Sequence, residues 1–258
     1  MTTFYDLIKE LANRVGNVRT SVATGGSTTT LIDTTLMAAD DQYKGGTLLI
    51  DQATPVTPRV SSYIASSGTF SFAAIATAVT VGTGYTAISQ KYPLDVLKRS
   101  INQAILESEL IMSQDETLII VADQERYTLP TGVFDIRRIE LGTEGDGEWP
   151  IHYYWRVEDG EIRFLANAPS DTSLTCRIHY AARHAQLSAL ADTLSDKVNR
   201  DSLMVAACKH ALLWRNYYVG RDESNTTELL NFYLNEDKAK HGIRVSELLP
   251  RDPILARY

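Results

Sequence analysis

Two cysteines in 258 residues, Cys176 and Cys208, are too few for a disulfide framework and stand in no metal-binding spacing. They read as small buried apolar residues of a reducing compartment. With only 8 prolines and 15 glycines, the chain is neither collagen-like nor low-complexity. No run approaches the roughly 20 apolar residues of a membrane helix. The opening MTTFYDLIKELANRV lacks the apolar core of a signal peptide, so folding in cytoplasm is the expectation. Positive charge is short as well: 25 Lys and Arg against 32 Asp and Glu give a formal charge of -7. That balance argues against wrapping nucleic acid, because phosphate binding needs a basic surface that releases counterions. What the chain does have is apolar residues, 44% of the total, enough for buried cores in one large domain or two small ones.

Periodicity divides the chain. Phe4, Leu7, Ile8, Leu11 and Val15 recur at helical spacing, which predicts an amphipathic helix over Met1 to Val15. From Thr24 to Gln90 the only charges are Asp33, Asp40, Asp41, Lys44, Asp51 and Arg59. Thr, Ser, Ala and Gly dominate there, with β-type runs such as GTLLID and TFSFAAIATAVTV. Tyr92 to Met112 returns to the helical period. From Thr117 to Ala182 the period falls towards two, predicting an antiparallel sheet of about five strands. Leu203, Ala206, Ala207, His210, Leu213, Trp214 and Tyr217 form one helical stripe, and a further helix follows the break at Gly220.

The expected fold class is α+β: a helical bundle made of an N-terminal helix, a central helix and a C-terminal αα-hairpin, with an inserted small β module and an antiparallel β-sheet. Its parts are residues 1–23 and 91–116 as the first portion of the helical core, 24–90 as the Ser/Thr-rich β module and 117–184 as the sheet region. Residues 185–243 supply the C-terminal helices, and 244–258 an extended docking tail. That tail has two prolines and no helical period, yet keeps Leu248, Leu249, Ile254, Leu255 and Tyr258, a composition that suits docking.

Signals for chemistry are weak. The glycine-rich TGGSTTT run has no following lysine, so it reads as a hairpin turn rather than a phosphate loop. GTEGDGE lacks the ligand alternation of a calcium loop. None of His152, His179, His184, His210 and His241 sits in a zinc-binding spacing, and no nucleophile elbow is present. The expectation is no enzyme, no catalytic residue, no metal and no cofactor. Aromatics and arginines, however, cluster in His152-Tyr153-Tyr154-Trp155-Arg156 and Trp214-Arg215-Asn216-Tyr217-Tyr218. These residue types carry much of the energy at protein interfaces. Trp214 and Tyr217 fall on the inward stripe; Tyr154, Arg215 and Tyr218 are the candidate subunit-interface residues.

The run ERYTLPTGVFDIRRIEL, Glu125 to Leu141, resembles a segment of bacteriophage head-to-tail adaptor (neck or connector) proteins, with Tyr127, Leu129, Pro130, Phe134 and Arg137 at the motif positions. The runs ATGGSTTTLIDTTL, DDQYKGGTLLID and RVSSYIASSGTFSFA are similar to a β module found in such adaptors and related virion proteins. The resemblance covers about half the chain and implies a structural virion protein made in the host bacterial cytoplasm. It implies an oligomeric ring, typically of twelve copies, beneath the portal protein. The ring would join the capsid to the tail or to the next neck protein and let DNA pass through its channel without specific binding. It assigns Leu248, Leu249, Ile254, Leu255 and Tyr258 to portal docking. The alternatives are a tail-completion, stopper or fibre-attachment protein using the β module for attachment, a tail-borne glycan hydrolase, and a host binding protein.

Overall fold

Thr3 starts the first helix. Its hydroxyl accepts the Asp6 N–H at 3.2 Å and the Asp6 carboxylate accepts the Thr3 N–H at 3.2 Å, a capping box that satisfies two orphan donors at once. The computed structural model describes residues 2–16, 18–108, 110–133, 135–143, 147, 149–165, 174–218 and 224–241. In chain order these form β1 (Thr2–Thr3), α1 (Phe4–Val15), β2 (Val18–Val22), β3 (Gly25–Gly26), β4 (Thr30–Ile32), β5 (Thr47–Ile50), β6 (Val60–Ile64), β7 (Thr69–Phe72) and β8 (Gly84–Ile88). Then come α2 (Leu94–Glu107), β9 (Ile111–Ile119), β10 (Arg126–Thr128), β11 (Asp135–Gly142), β12 (Trp155–Glu158), β13 (Glu161–Phe164), β14 (Thr175–Ala182), β15 (Thr193–Leu194), α3 (Arg200–Tyr218) and α4 (Ser224–His241).

The expected fold class is therefore corrected. Among the described residues the chain is mostly β, with fifteen strands in five antiparallel sheets and four α-helices, and is not a helical bundle carrying one small β module and a sheet. Two physical reasons account for the difference. Strands of two to five residues, as in β2 to β8, are too short for a period to register. The central helix also stops early: the Ser108 hydroxyl donates to the Ile105 carbonyl at 2.7 Å, and the backbone turns extended at Ser108. Ile111 and Met112, predicted as the end of a helix, instead begin β9 and pair with Ala182 and Ala181.

The chain divides into two compact units. The first takes in residues up to Ser108 and those from Ala185 through α4. Its helices pack through Phe4, Leu7, Ile8 and Leu11 of α1, Leu97, Ile101 and Ile105 of α2, and the inner face of α3, all buried. Asn102 fastens α2 to the segment before β15, its amide donating to Leu187 O at 2.8 Å and its oxygen accepting Leu187 N–H at 2.9 Å.

The β module belongs to the same unit, and its hydrogen bonds run in a ring. β2 pairs with β8, β8 with β5, and β5 with the stretch leading into β6, where Leu48 N–H donates to Pro58 O at 3.0 Å and Val60 N–H to Gly46 O at 2.9 Å. β6 then pairs with β7, β7 with β4 and β4 with β3, which continues β2 through Ala23 and Thr24. This closed arrangement protects its edges. The interior is aromatic: Tyr63 lies 4.7 Å from Phe70 and Phe70 5.7 Å from Tyr85, ring centre to ring centre. Buried among them, Asp33 accepts the Tyr85 hydroxyl at 2.7 Å, the Thr35 hydroxyl at 2.6 Å and the Thr35 N–H at 2.9 Å. Burial works to raise the Asp33 pKa, but these donors outweigh it and hold the carboxyl below its ordinary value. Where the barrel meets α1, the Asp51 carboxylate accepts the Tyr5 hydroxyl and pairs with Lys9, each at 2.7 Å.

The second unit includes β9 to β14. The expected single sheet is two three-stranded sheets, ordered β11-β14-β9 and β10-β13-β12. They share one apolar core containing Tyr127, Ile139, Trp155, Ile162, Phe164 and Ile178. On the first of these sheets the Arg177 guanidinium lies 3.6 Å from the centre of the Trp149 ring and pairs with Glu116 at 2.7 Å.

Candidate functional site

α3 is apolar on two faces. Leu203, Met204, Ala207, Cys208, Ala211, Leu212 and Arg215 face inward and are buried, a stripe of alternating one- and three-residue steps. A second stripe, roughly a quarter-turn away, carries Leu213, Trp214, Tyr217 and Tyr218. Three of these are exposed: Tyr217 by 83%, Tyr218 by 70% and Leu213 by 42%. Trp214 is half-buried and stacks on Tyr218 four residues on, with centres 5.5 Å apart and planes at 28°; Tyr217 meets Tyr218 edge-on at 5.0 Å. The ridge is thus ordered by its own contacts. On α4, Phe232 is another exposed aromatic, at 55%.

The sequence period merges these two stripes into one. Tyr217, predicted inward, is almost fully exposed, whereas Arg215, predicted as interface, is buried. The Arg215 guanidinium donates to the Tyr92 hydroxyl at 2.9 Å and lies 5.1 Å from the centre of that ring, tying α3 to the start of α2. Tyr218 is exposed. Tyr154, in the second unit, is half-buried; its carbonyl accepts the Leu165 N–H at 2.9 Å, and its ring lies 6.3 Å from that of His152.

The motif positions are built into the second unit's framework. The Tyr127 hydroxyl donates to Val121 O and accepts Val121 N–H, both at 2.9 Å, while its ring meets Phe164 edge-on. Leu129 packs on the same core, and its N–H donates to Gly160 O at 3.2 Å. Pro130 accepts the Val133 N–H in the turn that follows, and Arg137 pairs with Asp135 at 2.5 Å. Phe134 and the docking-tail residues Leu248, Leu249, Ile254, Leu255 and Tyr258 lie outside the described residues.

A charged cluster joining α2, α3 and α4 is not legible in the sequence, because its members come from three helices. The Glu107 carboxylate of α2 meets His210 Nε2 at 2.9 Å and Lys209 Nζ at 3.2 Å, and Lys209 also reaches Asp237 of α4 at 3.0 Å. Burial opposes ionisation of Glu107. The hydrogen bonds from His210, Gln103 and Lys209 prevail and hold its pKa down at about 2. Lys209 is likewise pulled down by burial, but its two carboxylate partners raise it above its ordinary value. Every charge here has a partner, which is the arrangement of a clasp between helices. Both cysteines are free and buried, with pKa values pushed up to about 12 mainly by burial. Among the described residues no cluster of His, Cys, Asp and Glu could hold a metal ion, and no helix is long and apolar enough to cross a membrane.

No family model matches this chain, and no curated protein matches it.

Proposed function

We infer that this chain is a structural assembly protein, and that its role is a head-to-tail adaptor: a ring of about twelve copies beneath the portal protein of a phage virion. The observation that carries the reading is the ordered aromatic ridge of α3, with Tyr217 and Tyr218 held against each other and turned to solvent. An interface core favours such groups, since a tyrosine supplies large apolar area at low entropic cost and keeps its hydroxyl hydrogen-bonded. The similarity of the Glu125–Leu141 run and of the barrel strands to adaptor segments is the support for a ring and for a position at the virion neck. The acidic balance of -7 suits a channel wall past which DNA slides. Neighbouring subunits would meet along the ridge, and the portal would take the C-terminal tail.

The test has two parts. Quantitative mass spectrometry of purified virions should give a copy number near that of the portal; a several-fold excess would instead favour a tail or fibre-attachment protein. The double variant Tyr217→Ala/Tyr218→Ala should keep its stability within about 0.5 kcal/mol and fail to join the ring when mixed with portal. A variant that assembles normally would remove the ridge from the interface.

A further inference from the structure

One end of the barrel opens on a depression of about 790 Å³. Its walls are the start of β2 at Val18 and Arg19, the loop from Thr35 to Lys44, and Ser89 to Lys91 beyond β8. The size lies in the range of small-molecule sites. The loop is fixed from both sides: Asp41 N–H donates to Tyr63 O at 2.9 Å, the Asp41 carboxylate accepts Tyr63 N–H at 3.2 Å, and the Asp40 carboxylate accepts Ala65 N–H at 2.6 Å. Inside the loop, Gln42 Oε1 accepts Ala39 N–H at 3.0 Å. The depression is therefore preformed.

Tyr43 lies at its base. The residue is only 7% exposed, and its ring is wedged 5.5 Å from Tyr63 and 5.3 Å from Phe70. The hydroxyl is not sealed in, and it has no hydrogen-bond partner among the described residues. A phenol that reaches the depression is free to donate its proton to an acceptor placed there. Arg19 lines the same depression, is exposed, and makes no ion pair among the described residues. Arg19, Lys44 and Lys91 give the rim three cations in a chain of net charge -7. The one carboxylate there, Asp41, is already engaged by Lys44 at 3.1 Å and by Tyr63 N–H. The remaining lining is mixed: Val18, Leu36 and Met37 are apolar, while Gln90 offers an amide and the Ser89 hydroxyl, which accepts the Lys91 N–H at 3.3 Å, keeps its proton to donate.

We propose that the barrel mouth is a binding site for an acidic saccharide, whose carboxylate is received by the Arg19 guanidinium and the Tyr43 hydroxyl and whose ring hydroxyls are met by the Gln90 amide and the Ser89 hydroxyl. A planar fork plus a phenol suits a carboxylate. The volume is several times what a bare anion fills, and a wall that mixes Gln90 and Ser89 with the apolar Val18 and Leu36 matches the polar edges and apolar faces of a sugar ring. This inference does not depend on the assembly reading.

The experiment titrates the full chain with oligogalacturonate, hyaluronan oligomers and sialyllactose, and with acetate, inorganic phosphate and neutral maltotriose as controls, followed by calorimetry. At least one carboxylated saccharide should bind saturably, with maltotriose silent and acetate and phosphate at least about tenfold weaker. Tyr43→Phe keeps the packed ring and removes only the hydroxyl, while Arg19→Gln alters an exposed side chain. Each should weaken binding about tenfold with the melting temperature unchanged. The proposal fails if none of the three saccharides binds, if acetate or phosphate binds equally well, or if both variants bind like the parent.

Discussion

At the scale of single residues, the chain holds two carboxylates, the buried Asp33 and the partly exposed Glu107, where several donors converge. Asp33 in the barrel has three donors on two oxygens, and Glu107 has donors from two elements. For Glu107 this sets a pH dependence. Its carboxyl, near 4.5 in an unfolded chain, sits at about 2 in the folded one, so the native state binds fewer protons between these values. The stabilisation is complete above about pH 4.5 and fades as pH falls towards 2. The Glu107 side chain is 35% exposed, so solvent screening reduces the effect. Glu107→Gln should cost about 1–2 kcal/mol at pH 7 and roughly half that at pH 3, read from urea unfolding at the two pH values. An equal loss at both would mean that packing, not the carboxylate charge, is what the substitution removes.

At the scale of elements, the barrel depends on backbone passing close to backbone. Gly68 has φ +61°, and a Cβ there would stand 2.0 Å from the Asp33 carbonyl oxygen, a contact no side-chain movement can relieve. Gly82 has φ +85° with open space around it. Gly68→Ala should therefore cost more than about 3 kcal/mol and Gly82→Ala about 1 kcal/mol, measured as shifts in the same denaturation curve. Similar losses would show that the crossing beside Asp33 can relax. The sequence carried α1 clearly, because its apolar residues keep one face and Thr3 and Asp6 sit at the capping positions. It carried α3 ambiguously: two apolar stripes less than a turn apart blur the period, and only the packing of α1, α2 and α4 decides that Ala211 and Arg215 go in and Tyr217 stays out. The barrel strands were legible as β and illegible as a ring, since the closing pairs join residues far apart in the chain, such as Val18 with Ile88. The barrel mouth is illegible for the same reason. Arg19, Tyr43 and Gln90 share no spacing that a sequence motif could reveal.

At the scale of the whole molecule, the path of the chain sets the order in which folding can be completed. The second unit includes the unbroken stretch from β9 to β14, whose core residues lie between Leu118 and Tyr180. The first unit is interrupted: α1, the barrel and α2 are made first, yet α3, which packs on both α1 and α2, lies beyond residue 199. Its inner stripe closes the helical core, so the N-terminal part waits with Leu97, Ile101 and Ile105 uncovered until α3 is made. Domains with separate cores tend to fold and melt as separate cooperative blocks. Scanning calorimetry should accordingly give a calorimetric enthalpy above the van't Hoff value, or two resolved transitions. Glu107→Gln, which weakens a clasp among α2, α3 and α4, should lower only the transition of the first unit. A single transition with equal enthalpies, moved as a whole by that substitution, would mean that the two cores are energetically one and that the second unit has no stability of its own to retain.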